Sequence, residues 1–195
     1  MNRFVLVLTG ALALFATPLF AQAQAPAAGS TANSRTMHLD APLVQTPSTA
    51  DAIRAYYNGV KNNILKAADK MPDDAYDFKP TPEQRTFGGW IAHVADAQTA
   101  GCSRVLGNPK TPGASGKTTK ADLVAALKDS FETCDAAYSG LTDANSNDTV
   151  QSFRGPTTRL GSLAGNVAHD NECYGSMAVY MRLKGIVPPS SEPRR

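Results

Sequence analysis

Two side chains that can bind a metal ion lie one helical turn apart near the end of the chain. His169 and Cys173 are separated by four residues in the stretch HDNECYGSMAVYMRLKGIV. Residues four apart on a helix share a face, so the imidazole and the thiol can both reach one cation. Glu172 lies near the same face and adds a carboxylate. A hydrogen-bonded histidine beside a packed cysteine gives the same pattern, so both interpretations stay open.

A third candidate ligand, His93, lies in another segment with helical spacing, at the shoulder of its apolar stripe. An imidazole there is expected to point partly inward, and facing helices of a bundle commonly build metal sites in this way. Asp96 follows three residues later on the same side. It is a candidate to orient an imidazole or to bind a water on the metal, and a surface acid is the alternative.

Four helices are predicted to position these side chains, because four segments repeat apolar residues every three or four positions. Ser48 and Thr119 are expected to cap the first and third helices, and Gly185 with the prolines after it ends the fourth. Thr81 and the residues after it form a start signal for the second helix, although two glycines indicate that the long helix begins only near Phe87. The predicted helices cover about 48–71, 81–106, 119–141 and 158–184.

These segments predict an all-α fold, a four-helix bundle, because strand signals are weak throughout and one core must bury four amphipathic faces. The stretch TDANSNDTVQSFRGP is expected to be a polar loop. Small residues occupy one side of the fourth helix, and we expect a neighbouring helix to approach closely there; they are Gly161, Ala164, Gly165, Ala168 and Gly175.

The N-terminal residues have the pattern of a secretory signal peptide. Arg3 precedes an apolar run that ends in Ala21-Gln22-Ala23, a small-residue cleavage site. We therefore divide the chain into a signal peptide (1–23), a flexible leader (24–46), the four-helix bundle (47–191) and a tail (192–195). The expected location is the periplasm or the exterior, with no membrane segment after the signal is removed.

The charge pattern argues against nucleic acid as a partner. The formal net charge is only +2 and the basic residues are scattered, so no basic stripe or polybasic membrane patch is predicted. We expect the partner to be a small molecule of unknown identity. A homodimer is compatible with a bundle of this size.

The other two cysteines point to a disulfide. Cys102 lies nine residues after His93, on the opposite face of its helix, and cannot share a metal with it. Cys134 lies on the apolar stripe of the next helix. In an oxidising compartment such a pair is a candidate for a bridge. Two buried thiols are the alternative, and we favour the bridge, which leaves Cys173 as the odd thiol.

Three stretches resemble the DinB-like family of metal-dependent four-helix-bundle proteins, and most closely its exported branch. They are RTFGGWIAHVADAQTAGCSRVLG, SFETCDAAYSGLTD and HDNECYGSMAVYMRLKGIVPPSS. The resemblance runs from about Ala50 to Ser191. It implies a bundle that binds a divalent metal ion, often zinc or nickel, through three histidines, one on the second helix and two, four residues apart, on the last.

The resemblance carries the ligand set over to His93, His169 and Cys173, where the last departs from the family's histidine. Three alternatives remain for this departure. Cysteine can replace histidine as a ligand, which zinc accepts readily. Glu172 can swing in to give two imidazoles and a carboxylate. The site can also be weakened or lost. We favour the first.

Two functions follow from these alternatives. The first is an exported metal-binding protein with metal-dependent hydrolase or transferase chemistry on an unknown substrate. The second is a non-catalytic bundle with a structural or degenerate metal site, which acts as a binding module. A catalytic site keeps an open coordination position and an accessible pocket, whereas a structural site is closed by four protein ligands. The sequence assigns no catalytic residue and leaves open whether the protein is an enzyme.

Overall fold

Four helices and one short hairpin make up the structure, a computed structural model that describes residues 47–193. The predicted signal peptide, the leader and the last two residues lie outside this range. The described residues belong to one compact unit, Val44–Arg195. Its elements are α1 (Thr49–Lys70), α2 (Phe87–Val105), α3 (Lys120–Ser139), β1 (Thr149–Ser152), β2 (Gly155–Thr158) and α4 (Arg159–Leu183).

Hydroxyl caps start every helix. In each case a side-chain hydroxyl accepts the backbone N–H of the residue three positions later. The capping residues are Ser48, Thr86, Thr119 and Thr158. The start signal at Thr81 therefore produces only a turn, and α2 begins at Phe87 as its glycines indicated. Just past α4, Gly185 has a φ of 73°, a conformation that favours glycine at a helix end.

The helices form the predicted bundle, in which α1 and α2 lie diagonally. Each of these two packs against both α3 and α4, and the contact between α2 and α3 is the most extensive. Tyr57 of α1 and Tyr138 of α3 stack in the core with ring centroids 3.8 Å apart. The site described below lies where α2 meets α4.

The prediction of a polar loop before α4 is wrong in its second half. β1 and β2 pair as an antiparallel hairpin in which Ser152 faces Gly155 across the turn. Each strand has only four residues, and Gly155 and Pro156 lie in the second, which is why the strand pattern is weak in the sequence. Gly155 has a φ of 103°, where a side chain would be strained.

A disulfide joins Cys102 of α2 to Cys134 of α3, as the favoured alternative expected. Their Cα atoms are 5.0 Å apart and both residues are buried in the core. Cys173 is the free cysteine of the described residues, and it is buried as well. Among residues 47–193, none of the helices has the length and apolar character needed to cross a membrane.

The end of the chain packs against the bundle. Pro189 is buried in a single 3-10 turn, Pro189–Ser191, and the backbone N–H of Ser190 donates to the hydroxyl of Tyr174. Lys70 of α1 forms an ion pair with Glu192, in the segment predicted to be a tail.

Candidate metal centre

The three predicted ligands meet at the contact between α2 and α4. Nε2 of His169 lies 3.1 Å from Nε2 of His93 and 3.6 Å from Sγ of Cys173. All three atoms lie within 4.8 Å of one another. The one-turn spacing on α4 aligns two of them, and the packing of α2 against α4 adds the third.

These distances suit a tetrahedral ion. Zinc bonds of about 2.0–2.1 Å to nitrogen and about 2.3 Å to sulfur place two nitrogens about 3.3 Å apart and a nitrogen and a sulfur about 3.6 Å apart. The observed separations are 3.1 Å and 3.6 Å. Both of these separations therefore fit a divalent ion with little movement of the side chains.

Asp170, which was not predicted as a site residue, lies on the Nδ1 side of the His169 imidazole. Its side chain is fully buried, and its Oδ1 is 3.5 Å from Nδ1 of His169. Its Oδ2 accepts a hydrogen bond of 3.2 Å from Nε2 of Gln98, whereas Oδ1 has no hydrogen-bond partner among the described residues. A carboxylate on this side favours a proton on Nδ1 and leaves the Nε2 lone pair for a metal.

Protonation of the two imidazoles is strongly asymmetric when no metal is bound. The polar side chains of Asp170 and Cys173 beside the imidazole stabilise its charged form and raise the pKa of His169 to about 10. Burial, the Arg85 guanidinium and the charge of His169 lower the pKa of His93. Burial also raises the pKa of Asp170, and the charge on His169 opposes that effect. These shifts favour a charged His169 beside a neutral His93, whose Nε2 atoms lie 3.1 Å apart where a metal would bind.

Asp96 and Glu172 occupy different positions from the three ligands. The two carboxylate oxygens of Asp96 accept the backbone N–H groups of Ala114 and Ser115, at 2.7 Å and 3.0 Å. Asp96 thus fixes the 3-10 turn before α3. Glu172 lines the cleft beside His169. Neither carboxylate belongs to the group of three atoms that come together.

A cleft of about 940 Å³ lies against the site. Its walls come from α2, α4 and the hairpin, and both His93 and His169 line it. The volume falls within the range of small-molecule pockets. Solvent and a small ligand can therefore reach the side of the site that the protein does not fill.

The expectation that the small residues of α4 pack closely against a neighbouring helix is wrong. Gly161, Gly165 and Ala168 line the cleft. A Cβ atom added at Gly165 or at Gly175 would meet nothing within 4 Å. The small residues of α4 thus leave room beside the helix.

Comparison with known proteins identifies a matching family and solved structures with a similar fold. The family model of the DinB superfamily matches residues 56–176, which include all three candidate ligands. None of the curated proteins matches the sequence. Among solved structures, a DinB-like protein from Bacillus cereus superposes with a TM-score of 0.60 at 20% identity, covering 70% of this chain and 93% of that one.

Two further solved structures share the fold. A DinB-like protein from Bacillus subtilis has a TM-score of 0.57 at 19% identity, covering 74% of this chain and 99% of that one. A conserved protein from Enterococcus faecalis has a TM-score of 0.56 at 14% identity, covering 71% and 98%. These similarities show the fold, while the family match spans more than half of the sequence. The chain therefore belongs to the DinB superfamily.

Proposed function

We propose that this protein binds one divalent metal ion through Nε2 of His93, Nε2 of His169 and Sγ of Cys173. We further propose that it is an exported metal-dependent hydrolase or transferase of a small molecule. The observation that carries the proposal is the meeting of three ligand atoms, within 4.8 Å of one another, beside an open cleft. Three protein ligands with access from a cleft are the arrangement of catalytic zinc sites.

Zinc and nickel are the proposed metals, and the ligand chemistry favours zinc. A thiolate with two imidazoles is a soft donor set that zinc accepts in tetrahedral geometry. The charge of the thiolate also makes the set more electron-rich than three neutral imidazoles. The family's histidine at this position is thus replaced by a ligand that zinc accepts equally readily.

The residues around the site have separable roles in this proposal. When bound, the metal supplies Lewis-acid polarisation of a substrate and a more acidic water. Asp170 holds His169 in the tautomer that leaves Nε2 free. Glu172 has no side-chain hydrogen bond within the described part of the chain, and its charge acts on His93 across the site. We assign Glu172 the role of proton acceptor in the cleft.

A second candidate is a non-catalytic bundle with a degenerate metal site, acting as a binding module. The contact of 3.1 Å between the two imidazoles favours it, because a protonated His169 and a neutral His93 satisfy each other without a metal. This candidate predicts weak metal binding that improves when the family's histidine is restored.

Export is part of the proposal. The signal-peptide pattern lies outside the described residues, and its support within them is the Cys102–Cys134 disulfide, which persists in oxidising compartments. Cleavage after Ala23 can be read from the N-terminal sequence of the protein recovered from the periplasm.

Substitution of Cys173 separates the two candidates. We expect Cys173→Ser to lower zinc affinity by about a hundredfold, since a hydroxyl is a poor replacement for a thiolate. Cys173→His is expected to keep zinc at an affinity close to that of the wild type. Affinity is measured by competition with a chromophoric chelator on the purified protein.

Ser176→Ala, on the same helix but outside the cleft, is the matched control and should leave zinc affinity unchanged. Equal zinc affinity in Cys173→Ser and the wild type would remove Cys173 from the ligand set. Much tighter binding in Cys173→His than in the wild type would favour the degenerate site.

Metal affinity is expected to rise with pH. The pKa of His169 is about 10 in the metal-free protein, so at neutral pH its Nε2 proton must leave before a metal binds. The thiol proton of Cys173 must leave as well, and both requirements oppose binding at low pH. Chelator competition from about pH 6 to about pH 9 should show a continuous increase in the association constant. An association constant that does not change over this range contradicts the proposed ligand set.

Asp170→Asn tests the origin of this dependence. The neutral amide no longer favours the charged imidazole, so the pKa of His169 falls and the pH dependence becomes shallower. The variant is also expected to bind zinc about 10–100-fold more weakly at high pH, because the partner that orients His169 is changed. A variant that matches the wild type in both respects excludes this role for Asp170.

A further inference from the structure

We propose that the cleft is the ligand-binding subsite of the metal centre and that Arg154, on the hairpin, selects an elongated ligand with an anionic end. The inference rests on the proposed metal site and names the class of molecule that the site would take. One end of the ligand lies at His93 and His169, and the anionic end lies at Arg154.

The long dimension of the cleft follows from its walls. Along α4 the lining residues run from Gly161, in the first turn, to Glu172, and the rise from Gly161 to His169 alone is about 12 Å. The hairpin leads into the first turn of α4, and Phe153 in its turn lies against Arg104 near the end of α2, so its wall stands at the end of the cleft away from His93 and His169. A ligand that fills the cleft must therefore be elongated.

The walls are mostly small residues, which gives the cleft its depth. On α2 they are Ala97, Ala100 and Gly101, and on α4 they are Gly161, Gly165 and Ala168. A Cβ atom at Gly101 or Gly165 would meet nothing within 4 Å. Side chains larger than alanine would occupy the space that we assign to the ligand.

The charges of the cleft favour an anion at the hairpin end. Asp96 is engaged by two backbone N–H groups, and Glu172 lies on the last lining turn of α4, beside His169. Arg154, an exposed residue, lines the opposite end, and its guanidinium makes no ion pair or hydrogen bond within residues 47–193. An arginine without a carboxylate partner is suited to bind a carboxylate or phosphate in a bidentate manner.

The hairpin is held in place by a different arginine. The Arg104 guanidinium of α2 lies 4.3 Å from the ring centroid of Phe153, and it also donates to the carbonyl of Ala100. Arg104 is therefore occupied in fixing the turn. Arg154 is left as the cation that faces the cleft.

The test uses the zinc-loaded full-length mature protein and a series of alkyl hydroxamates of increasing chain length. Each has a hydroxamate to bind the metal at one end and either a carboxylate or its methyl ester at the other. At the best chain length we expect the carboxylate to bind about fivefold more tightly than the ester. A partly exposed ion pair between the carboxylate and Arg154 accounts for a difference of this size. The difference is measured by calorimetry.

Two variants locate the preference. Arg154→Gln is expected to make the carboxylate and the ester bind equally, and Gly165→Leu to weaken both by at least about tenfold by filling the cleft. Gly175→Leu is the matched control, because Gly175 lies on the same helix with equal space around it but outside the cleft. It should bind both probes as the wild type does.

Zinc affinity is measured separately in every variant, so that the subsite and the metal site are tested independently. Retained zinc together with a lost carboxylate preference in Arg154→Gln supports the proposal. A carboxylate preference that persists in Arg154→Gln, or equal binding of the two probes by the wild type, overturns it while leaving the metal site intact. Failure of the wild type to bind zinc overturns the proposed function instead.

Discussion

Replacement of His93 by alanine is expected to lower zinc affinity by about a thousandfold. The structure places His93 as the ligand from α2, and without it the two remaining ligands come from a single turn of α4. Structural zinc sites bind with about 10–16 kcal/mol shared among their ligands, so the loss of one ligand corresponds to about 4 kcal/mol. Chelator competition on His93→Ala and wild-type protein measures this loss.

The fold is expected to survive this change. His93 is only partly buried, and the core of α2 is made by other residues, among them Phe87, Ile91 and Val94. Thr99→Ala, on the same helix but outside the cleft, serves as the control for a general effect on α2. Full zinc affinity in His93→Ala would show that the metal is held elsewhere.

Removal of the disulfide is expected to produce the largest loss of stability. A bridge between Cys102 and Cys134 closes a loop of 32 residues. By the chain-entropy argument it contributes roughly 3–4 kcal/mol to the free energy of unfolding. Urea unfolding of the double variant Cys102→Ala, Cys134→Ala should show this decrease. Its zinc affinity should be unchanged, because neither sulfur belongs to the metal site.

A reductant provides the control for this experiment. It should destabilise the wild type by a similar amount and leave the double variant unaffected. If the double variant is within about 1 kcal/mol of the wild type under oxidising conditions, the bridge does not stabilise the bundle as the loop-closure argument requires.

The sequence was sufficient for the bundle because its local signals agree with one another. Ser48 and Thr119 cap helices where predicted, and Gly185 ends the last helix. The capping pattern at Thr81 was misleading because it is followed by glycines and precedes a second hydroxyl, Thr86, directly before the apolar run. A capping signal that is not followed by a segment with an apolar face does not stabilise a helix.

The hairpin and the cleft could not be predicted from the sequence, for different reasons. The strands of the hairpin are short, and the second contains Gly155 and Pro156. The cleft depends on how α2 packs against α4. From the sequence alone, Gly165 is equally compatible with a close contact between helices and with the wall of a cleft. Arg154 is an exposed residue in the structure, and that it lines the cleft follows only from the hairpin, which the sequence did not predict.

The candidate ligands could be predicted from residue type and spacing, whereas the side chain that orients His169 could not. His169 and Cys173 are one turn apart in the sequence, and His93 was a candidate from its place beside the apolar stripe of another helix, while the resemblance joined the three into one ligand set. Asp170 was overlooked because an acid beside a histidine is usually a surface residue. The available signal was its place on the helix, three residues after Val167 and three before Cys173, both of which are buried.

X-ray absorption at the zinc edge of the purified, zinc-loaded protein tests the proposed metal centre most directly. The proposed ligand set predicts one zinc per chain with one sulfur neighbour at about 2.3 Å and imidazole nitrogens at about 2.0–2.1 Å. The sulfur contribution should disappear in Cys173→Ser. A zinc ion surrounded only by nitrogen and oxygen, or a sulfur signal that persists in Cys173→Ser, would contradict the ligand set of His93, His169 and Cys173.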